Sequence, residues 1–187
     1  IIFDIILPTL NILNDMYSRG KISESEKILI STSAIDLVLM TKFVSTLDTP
    51  KLKASSIVVS GSEEANYFAR IASVVLYLIG WNSLYLGNVE NKIDPFFDID
   101  IQRLVTRKLK SMNGLSVVMI FSFNVNTLKF LSNTIKVLRK KVENDLRIAI
   151  FTNIDLMQES QGMDVDYCTT DLKALIEWVK EEYRMSS

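Results

Sequence analysis

The side chains that could do chemistry in this chain are carboxylates, hydroxyls and one thiol, because the sequence contains no histidine. Asp98 with Asp100, and Asp164 with Asp166, form pairs spaced by one residue, but neither pair lies in a full calcium-loop pattern with its glycine and final glutamate. Cys168 is the only cysteine, which excludes an intramolecular disulfide and, without histidine, the common zinc-ligand sets. No glycine-rich phosphate loop is present. The sequence therefore predicts neither an enzyme nor a dedicated metal site.

Charge and hydropathy bear on whether the chain binds nucleic acid or a membrane. The 187 residues carry 21 basic and 22 acidic side chains, so the chain as a whole has no electrostatic footprint for a phosphate backbone, and we expect it to bind no nucleic acid by itself. No apolar run approaches the roughly 20 residues of a membrane-spanning helix, and no signal peptide is visible. We expect a cytoplasmic protein without a membrane partner. Because it opens at Ile1-Ile2-Phe3 within an amphipathic pattern, we also expect it to be part of a longer protein.

The first part of the chain has the period of two helices. Apolar residues recur at three- and four-residue intervals from Phe3 to about Arg19, and Pro8 begins or bends this helix. After Gly20, the sequence Ser23-Glu24-Ser25-Glu26 has the form of a capping box, which predicts a second helix up to about residue 45. The predicted apolar side of that helix consists of Ile28, Leu29, Ile35, Leu39 and Phe43. Residues 1–47 are thus predicted to be a helical unit, and residues 48–55 a linker.

From residue 56 onward, short β-rich runs alternate with helical segments. Strands are predicted at 56–60, 83–86, 115–123 and 147–151, and helices at 62–79, 99–110, 126–142 and 170–184. The run Val117 to Phe121 is apolar on both faces, which is typical of a parallel sheet covered by helices on either side. Residues 56–187 are therefore predicted to form a doubly wound, Rossmann-like α/β domain. Ligands of such domains lie beyond the carboxyl ends of the strands, here the segments after Ser60, Leu86, Phe121 and Phe151.

A short helical unit followed by such a domain, with Gly80-Trp81 after its first helix and Tyr85-Leu86-Gly87 at its second strand, resembles the cobalamin-binding domains. The resemblance covers nearly the whole chain and is greatest to the domains at the C-terminus of MerR-type transcriptional regulators. In that family a Glu-x-His-x-x-Gly motif follows the first strand, and its histidine is the lower ligand of cobalt. The equivalent positions here are Glu63, Ala65 and Phe68. The resemblance implies that the metal bond is lost and that Phe68 fills the channel of the nucleotide tail.

Other positions of the family's pocket also differ. Ser122 matches a serine that lines the tail groove, but the diglycine after the fourth strand is replaced by Thr152-Asn153, whose side chains are expected to crowd that groove. In the helical unit, the family's tryptophan above the cofactor and the Glu-His pair that follows it become Tyr17, Lys27 and Ile28. The resemblance therefore implies a retained scaffold, a degenerate pocket and no cofactor, with bound cobalamin as the alternative.

Each candidate residue also has an ordinary structural interpretation, which we favour for most of them. A carboxylate such as Glu63 is favoured in a first helical turn by the helix dipole, Tyr17 suits core packing, and Cys168 suits a buried apolar site better than redox sensing. For Ser122, ligand contact and satisfaction of a neighbouring backbone group both stay open. The basic segments 103–110 and 139–141 are interpreted as solvated helix faces with acids nearby, the alternative being contact with DNA in a longer regulator.

These observations predict a regulatory, sensor or oligomerisation domain of a MerR-type transcription factor that works without cobalamin. Its partners would be further copies of itself or another protein, and DNA would be bound only by a segment outside this chain. One alternative is a sensor that holds a corrinoid, or another planar compound such as a tetrapyrrole, between Tyr17 and the strand ends without histidine ligation. Another is the corrinoid carrier subunit of a methyltransferase system, against which Ala65 counts.

Overall fold

The computed structural model describes residues 1–44, 52–90, 95–111, 114–141 and 145–186. The chain divides into two units, Ile1–Asp48 and Thr49–Ser187. Residues 48–51 of the predicted linker, 48–55, lie outside the described residues. Its last two members, Ala54 and Ser55, belong to the first strand.

The first unit consists of a π-helical turn, Ile2–Ile6, helix α1, Leu7–Ser18, and helix α2, Glu24–Val44. Pro8 lies in the first turn of α1, where its missing N–H leaves no hydrogen bond unmade. The predicted capping box of α2 is confirmed, because the N–H of Ser23 donates to the Glu26 carboxylate at 2.8 Å and the N–H of Glu26 donates to Ser23 Oγ at 3.3 Å. These hydrogen bonds lower the pKa of the exposed Glu26 carboxyl.

The predicted apolar side of α2 is largely wrong. Ile28, Leu29 and Phe43 are exposed, and the buried residues of the helix are Ser31, Ala34, Ile35 and Val38. Leucine, isoleucine and phenylalanine occur all around this helix, so the apolar period alone could not select the buried side. The small side chains of Ser31 and Ala34 lie on that side instead.

The second unit is a five-stranded, all-parallel sheet flanked by helices. Its strands are β1, Ala54–Ser60, β2, Asn82–Asn88, β3, Leu115–Phe121, β4, Leu146–Phe151, and β5, Tyr167–Thr169, in the order β2-β1-β3-β4-β5. The long helices are α3, Glu63–Leu78, α4, Pro95–Lys110, α5, Val125–Lys141, and α7, Leu172–Ser186. A 3₁₀ turn, Ile154–Leu156, and the short helix α6, Met157–Gln161, precede β5. The predicted Rossmann-like fold is confirmed.

Several predicted boundaries move, each for a local reason. Strand β3 ends at Phe121 rather than at residue 123, because the Ser122 side chain hydrogen-bonds the backbone of Asn124 and turns the chain. The last helix begins at Leu172 because Asp171 Oδ1 accepts from the N–H of Lys173 at 2.8 Å. Strand β5 and the short helices before it were not predicted, since three to five residues carry too little periodicity.

The two faces of the sheet are covered by different helices. Leu109 of α4 and Leu128 of α5 pack with Ile57, Val118 and Ile148 of the strands in one core cluster. Helices α3 and α7 contact each other and the sheet, and they cover the opposite face. Because all the strand pairs are parallel, the carboxyl ends of the five strands lie at one edge of the sheet, where the loops that could hold a ligand meet.

Candidate functional site

Strand β1 leads through Gly61 into helix α3, whose N-cap is Ser62. The Ser62 hydroxyl oxygen accepts from the N–H of Ala65 at 3.3 Å and from the N–H of Phe123 at 2.9 Å, so it joins the loops after β1 and β3. Ala65 lies in the first turn of α3 and is fully buried. The position that the resemblance assigns to a cobalt ligand thus places a methyl group inside the domain.

Four polar side chains connect the loops at this edge, and we call Glu63, Asn88, Glu90 and Asn124 the edge cluster. Asn88 Nδ2 donates to the Glu63 carboxylate at 2.7 Å, and Asn124 Nδ2 donates to Glu90 Oε1 at 3.3 Å. The second oxygen of Glu90 accepts from the backbone N–H of Glu63 at 2.9 Å. A helix N-terminus attracts anions through its free N–H groups and its dipole. At α3 a carboxylate of the chain itself occupies that place.

The space beside Gly61 is filled by side chains of the β3–α5 segment. A Cβ at Gly61 would lie 2.6 Å from Thr127 Cγ2 and 2.9 Å from Ser122 Oγ. Ser122 and Thr127 are themselves buried, and Ser122 Oγ accepts from the N–H of Asn124 at 3.1 Å. The backbone at the end of β1 therefore has no room beside it for a ligand chain.

The residues after β4 close the next part of the edge. Thr152 is buried, its hydroxyl donates to the Ser122 carbonyl at 2.8 Å, and its N–H donates to the Thr169 carbonyl at 3.1 Å. Asn153 Oδ1 accepts from the N–H of Leu156 at 3.2 Å and so caps the 3₁₀ turn. Both side chains are committed to the backbone of the neighbouring loops.

Phe68 belongs to a group of aromatic rings on the α3 side of the sheet. Its ring centroid lies 5.1 Å from that of Phe151 and 6.1 Å from that of Phe123, and Phe151 also lies 5.1 Å from Phe121. Offset and tilted ring pairs at these distances are favourable packing arrangements. Phe68, at the position where the resemblance expects a glycine, therefore contacts aromatic rings of β4 and of the loop after β3.

Tyr17, Lys27 and Ile28 lie in the helical unit, which we describe by itself. The Lys27 ammonium lies 4.7 Å from the centroid of the Tyr17 ring, a cation–π contact between the end of α1 and the start of α2. Tyr17 and Ile28 remain 40% and 50% exposed. A lysine of the same unit therefore covers one face of the Tyr17 ring.

The remaining candidates have structural partners. The Cys168 thiol is half-buried with its sulfur 3.6 Å from Met157 Sδ, and burial raises the pKa of this thiol, which disfavours the reactive thiolate. Asp164 and Asp166 both pair with Arg139, and Asp166 also accepts from the N–H of Ile148 at 2.6 Å, so this acidic pair holds the chain before β5 against α5. The side chain of Asp98 lies outside the described residues.

The described part of the chain contains no group of three or more histidine, cysteine, aspartate or glutamate side chains that could hold a metal ion. Among the helices that the structure describes, none is both long enough and apolar enough to cross a membrane.

Sequence reasoning missed most of the edge cluster and the packing around Gly61. It singled out the segments after Ser60 and Phe121, but not Ser62, Asn124 or Thr127 within them. It named the segment after Leu86 as well, but not Asn88 and Glu90 within it, although the glycine, asparagine and glutamate there were a usable signal. Gly87 adopts φ +97°, a conformation that favours glycine, and the register of β1 and β2 shifts beside it.

Comparisons with known proteins give the fold of the chain. No family model matches the sequence, and no curated protein matches it. Among solved structures, the monomethylamine corrinoid protein of Methanosarcina barkeri matches with a TM-score of 0.64 and 10% identity, over 94% of this chain and 79% of that one. This chain therefore shares the α/β fold of that protein.

Two further structures are similar over most of this chain. A cobalamin-binding protein from Desulfitobacterium hafniense DCB-2 matches with a TM-score of 0.45 and 15% identity, over 92% of this chain and 77% of that one. The methanol:cobalamin methyltransferase complex from Methanosarcina barkeri matches with a TM-score of 0.42 and 13% identity, over 95% of this chain and 66% of that one.

Proposed function

We propose that this chain is a regulatory or assembly domain that uses a cobalamin-binding fold for protein contact and works without cobalamin. The observation that carries the proposal is the closed packing at the carboxyl edge of β1. There, Thr127 and Ser122 lie so close to Gly61 that even one added carbon atom would clash. A nucleotide tail of the kind that cobalamin carries needs an open passage along such backbone.

The charges at this edge support the same proposal. Glu63 and Glu64 lie in the first turn of α3, and Glu90 already accepts from the N–H of Glu63. The tail of cobalamin contains a phosphate, which these carboxylates would repel. A phosphate would also have to displace Glu90 from the helix N-terminus before it could use that site.

The proposal assigns the chain a binding role rather than a catalytic one. The sequence has no histidine to act as a general base. The edge hydroxyls are engaged by backbone groups: Ser60 Oγ donates to the Ser62 carbonyl at 2.8 Å, and Thr152 donates to the Ser122 carbonyl. A hydroxyl held in this way lacks the adjacent base that activates a nucleophile.

Exposed apolar side chains on α2 support a role in protein contact. Leu29, Leu37, Met40 and Phe43 of this helix are each at least 60% exposed. A helix that is apolar on all sides is typical of one that is covered in its working assembly. A homo-oligomer, and a setting within a MerR-type transcription regulator in the cytoplasm, are further parts of the proposal that rest on the family resemblance.

The test is an ultraviolet–visible spectrum of the purified chain after incubation in the dark with adenosylcobalamin or hydroxocobalamin, followed by gel filtration. We expect no cobalamin absorbance to co-elute with the protein. A double variant, Ala65→His with Phe68→Gly, restores the family's motif and is also expected to stay colourless, because Thr127, Ser122 and Glu90 still fill the edge. A known corrinoid protein serves as the positive control. Stoichiometric colour in the unaltered chain would overturn the proposal.

The second candidate function is a sensor for a planar molecule. The exposed ring of Tyr17 is the observation that favours it, since the face away from Lys27 could stack on a planar ligand. Such a ligand would be a corrinoid held without histidine, or a tetrapyrrole ligated by cysteine or methionine. Colour in the protein as purified, which disappears in a Tyr17→Ala variant, would support this candidate over the first.

A further inference from the structure

The chain is nearly neutral overall, but its charges are unevenly distributed. Between residues 95 and 141, which contain α4, β3 and α5, the sequence has nine lysines and arginines and only two aspartates. The rest of the chain has twelve basic and twenty acidic residues. Although the net charge is near zero, residues 95–141 are therefore basic and the rest of the chain is acidic.

The fold brings the basic part together on one side of the domain. Helix α4 connects β2 to β3 and α5 connects β3 to β4, so both helices run opposite to the parallel strands. They contact each other and pack on the same core cluster. Their C-terminal ends therefore lie side by side at the amino edge of the sheet, opposite the edge cluster.

Five basic side chains on these helices form what we call the basic face: Arg103, Arg107, Lys110, Lys136 and Lys140. The three on α4 are spaced by four and three residues, and the two on α5 by four, so each set follows one face of its helix. All three on α4 are exposed, as is Lys140. None of the five forms an ion pair with another described residue, whereas Lys129 and Arg139 pair with carboxylates and are excluded from the face.

The helix dipole explains only part of this arrangement. Cations are favoured in the last turn of a helix, which accounts for Arg107, Lys110 and Lys140. Arg103 and Lys136 lie further from the helix ends, where the dipole effect has fallen off. Helices α4 and α5 themselves carry only two acids, Asp98 and Asp100 near the start of α4. Asp164 and Asp166 approach α5 from the segment before β5, and both pair with Arg139.

We infer that the basic face binds the phosphate backbone of duplex nucleic acid without reading its sequence. The row on α4 extends about 10 Å at about 1.5 Å per residue, and neighbouring helices lie about 8–10 Å apart. Duplex DNA carries one negative charge per about 1.7 Å of axis, so a face of this size meets several phosphates. An acidic protein partner is less well matched, because protein interfaces need an apolar centre and the exposed apolar residues here, Ile99, Leu104 and Val137, are scattered.

This inference goes beyond the proposed function and does not depend on it. It also revises the expectation, drawn from net charge, that the chain binds no nucleic acid by itself. Net charge is summed over the whole chain. Because salt screens exposed charges more than about 10 Å apart, a phosphate backbone interacts mainly with the face that it approaches.

The experiment is fluorescence anisotropy of a labelled duplex of about 20 base pairs, titrated with the whole 187-residue chain between about 50 and 200 mM salt. We expect a dissociation constant of about 10⁻⁴–10⁻⁶ M and a slope of about −4.5 in log K against log salt, from about −0.9 for each of five phosphates neutralised. In the variant Arg103→Glu, Arg107→Glu, Lys110→Glu, affinity should fall at least about tenfold and the slope should shrink to about −2, for the two lysines that remain.

A matched control separates the basic face from net charge. The variant Lys21→Glu, Lys173→Glu, Arg184→Glu changes the charge of the chain by the same amount at exposed positions outside the face, and it should keep its affinity within about twofold. Circular dichroism melting of both variants shows whether they are folded. Equal losses in the two variants would overturn the inference, as would absence of binding at 50 mM salt. Binding of poly-glutamate or anionic vesicles but not of the duplex would overturn it as well.

Discussion

The carboxylate of Glu90 accepts a hydrogen bond at 2.9 Å from the backbone N–H of Glu63, so the first turn of α3 is capped by a side chain twenty-seven residues further along the chain. This contact ties the loop after β2 to the loop after β1. Asn124, which donates to the other oxygen of Glu90, adds the loop after β3. The Glu90 carboxylate therefore lies between the ends of β1, β2 and β3 and connects the three loops that follow them.

Replacement of Glu90 by alanine tests this closure. The variant should lose about 1 kcal/mol of unfolding free energy, because the α3 N-terminus loses a charged acceptor. Urea unfolding followed by circular dichroism measures the loss. Sulfate should then stabilise the variant more than the unaltered protein, since the vacated helix N-terminus can accept an external anion. An equal response of the two proteins to sulfate would show that Glu90 does not occupy an anion site.

Replacement of Gly61 by alanine tests the close packing next to β1. The added Cβ would lie 2.6 Å from Thr127 Cγ2, and overpacking of this kind typically costs about 1–3 kcal/mol. The change Thr127→Ser removes the clashing methyl group, so the double variant should be less destabilised than the sum of the two single variants. Additive losses in urea unfolding would contradict the contact.

Replacement of Thr152 by valine tests the bond between the ends of β4 and β3. The side chain keeps its shape but leaves the buried Ser122 carbonyl without its donor, which should cost about 1–3 kcal/mol. Thr152→Ser keeps the hydroxyl and serves as the control, with a smaller loss expected from the missing methyl group. If valine proves no worse than serine in thermal unfolding, the hydrogen bond contributes nothing.

Cys168 should react slowly with thiol reagents in the folded protein. Burial raises the pKa of its thiol above the ordinary value of 9.0, so at pH 8 the folded protein holds less thiolate than the unfolded chain. The pKa of the Cys168 thiol is higher in the folded protein than in the unfolded chain. The contribution of this thiol to the free energy of unfolding is therefore fully present below the unfolded pKa and is lost as pH rises through the folded pKa. Labelling with Ellman's reagent at pH 8, with and without urea, measures the difference. Equal rates would show an accessible thiolate.

Much of the fold could be predicted because its signals are local. The run Val117 to Phe121 is apolar on both faces, which identifies a central parallel strand, and the Ser23–Glu26 capping box marks the start of α2 within four residues. The buried side of α2 could not be predicted, because apolar residues surround the helix and only contact with α1 selects Ala34 and Ile35.

In the candidate site, too, some features follow from the sequence by itself and others only from the tertiary structure. The sequence by itself determined that no imidazole exists to bind cobalt and that Phe68 stands where the resemblance expects glycine. Only the tertiary structure decided that Glu90 caps α3, that Thr127 fills the space beside Gly61, and that α4 and α5 pack on the same side of the sheet. The physical reason is that composition and short periodicities are properties of the chain itself. Contacts between residues 27 to 66 positions apart exist only once the parallel sheet has brought the strand ends and the crossover helices together.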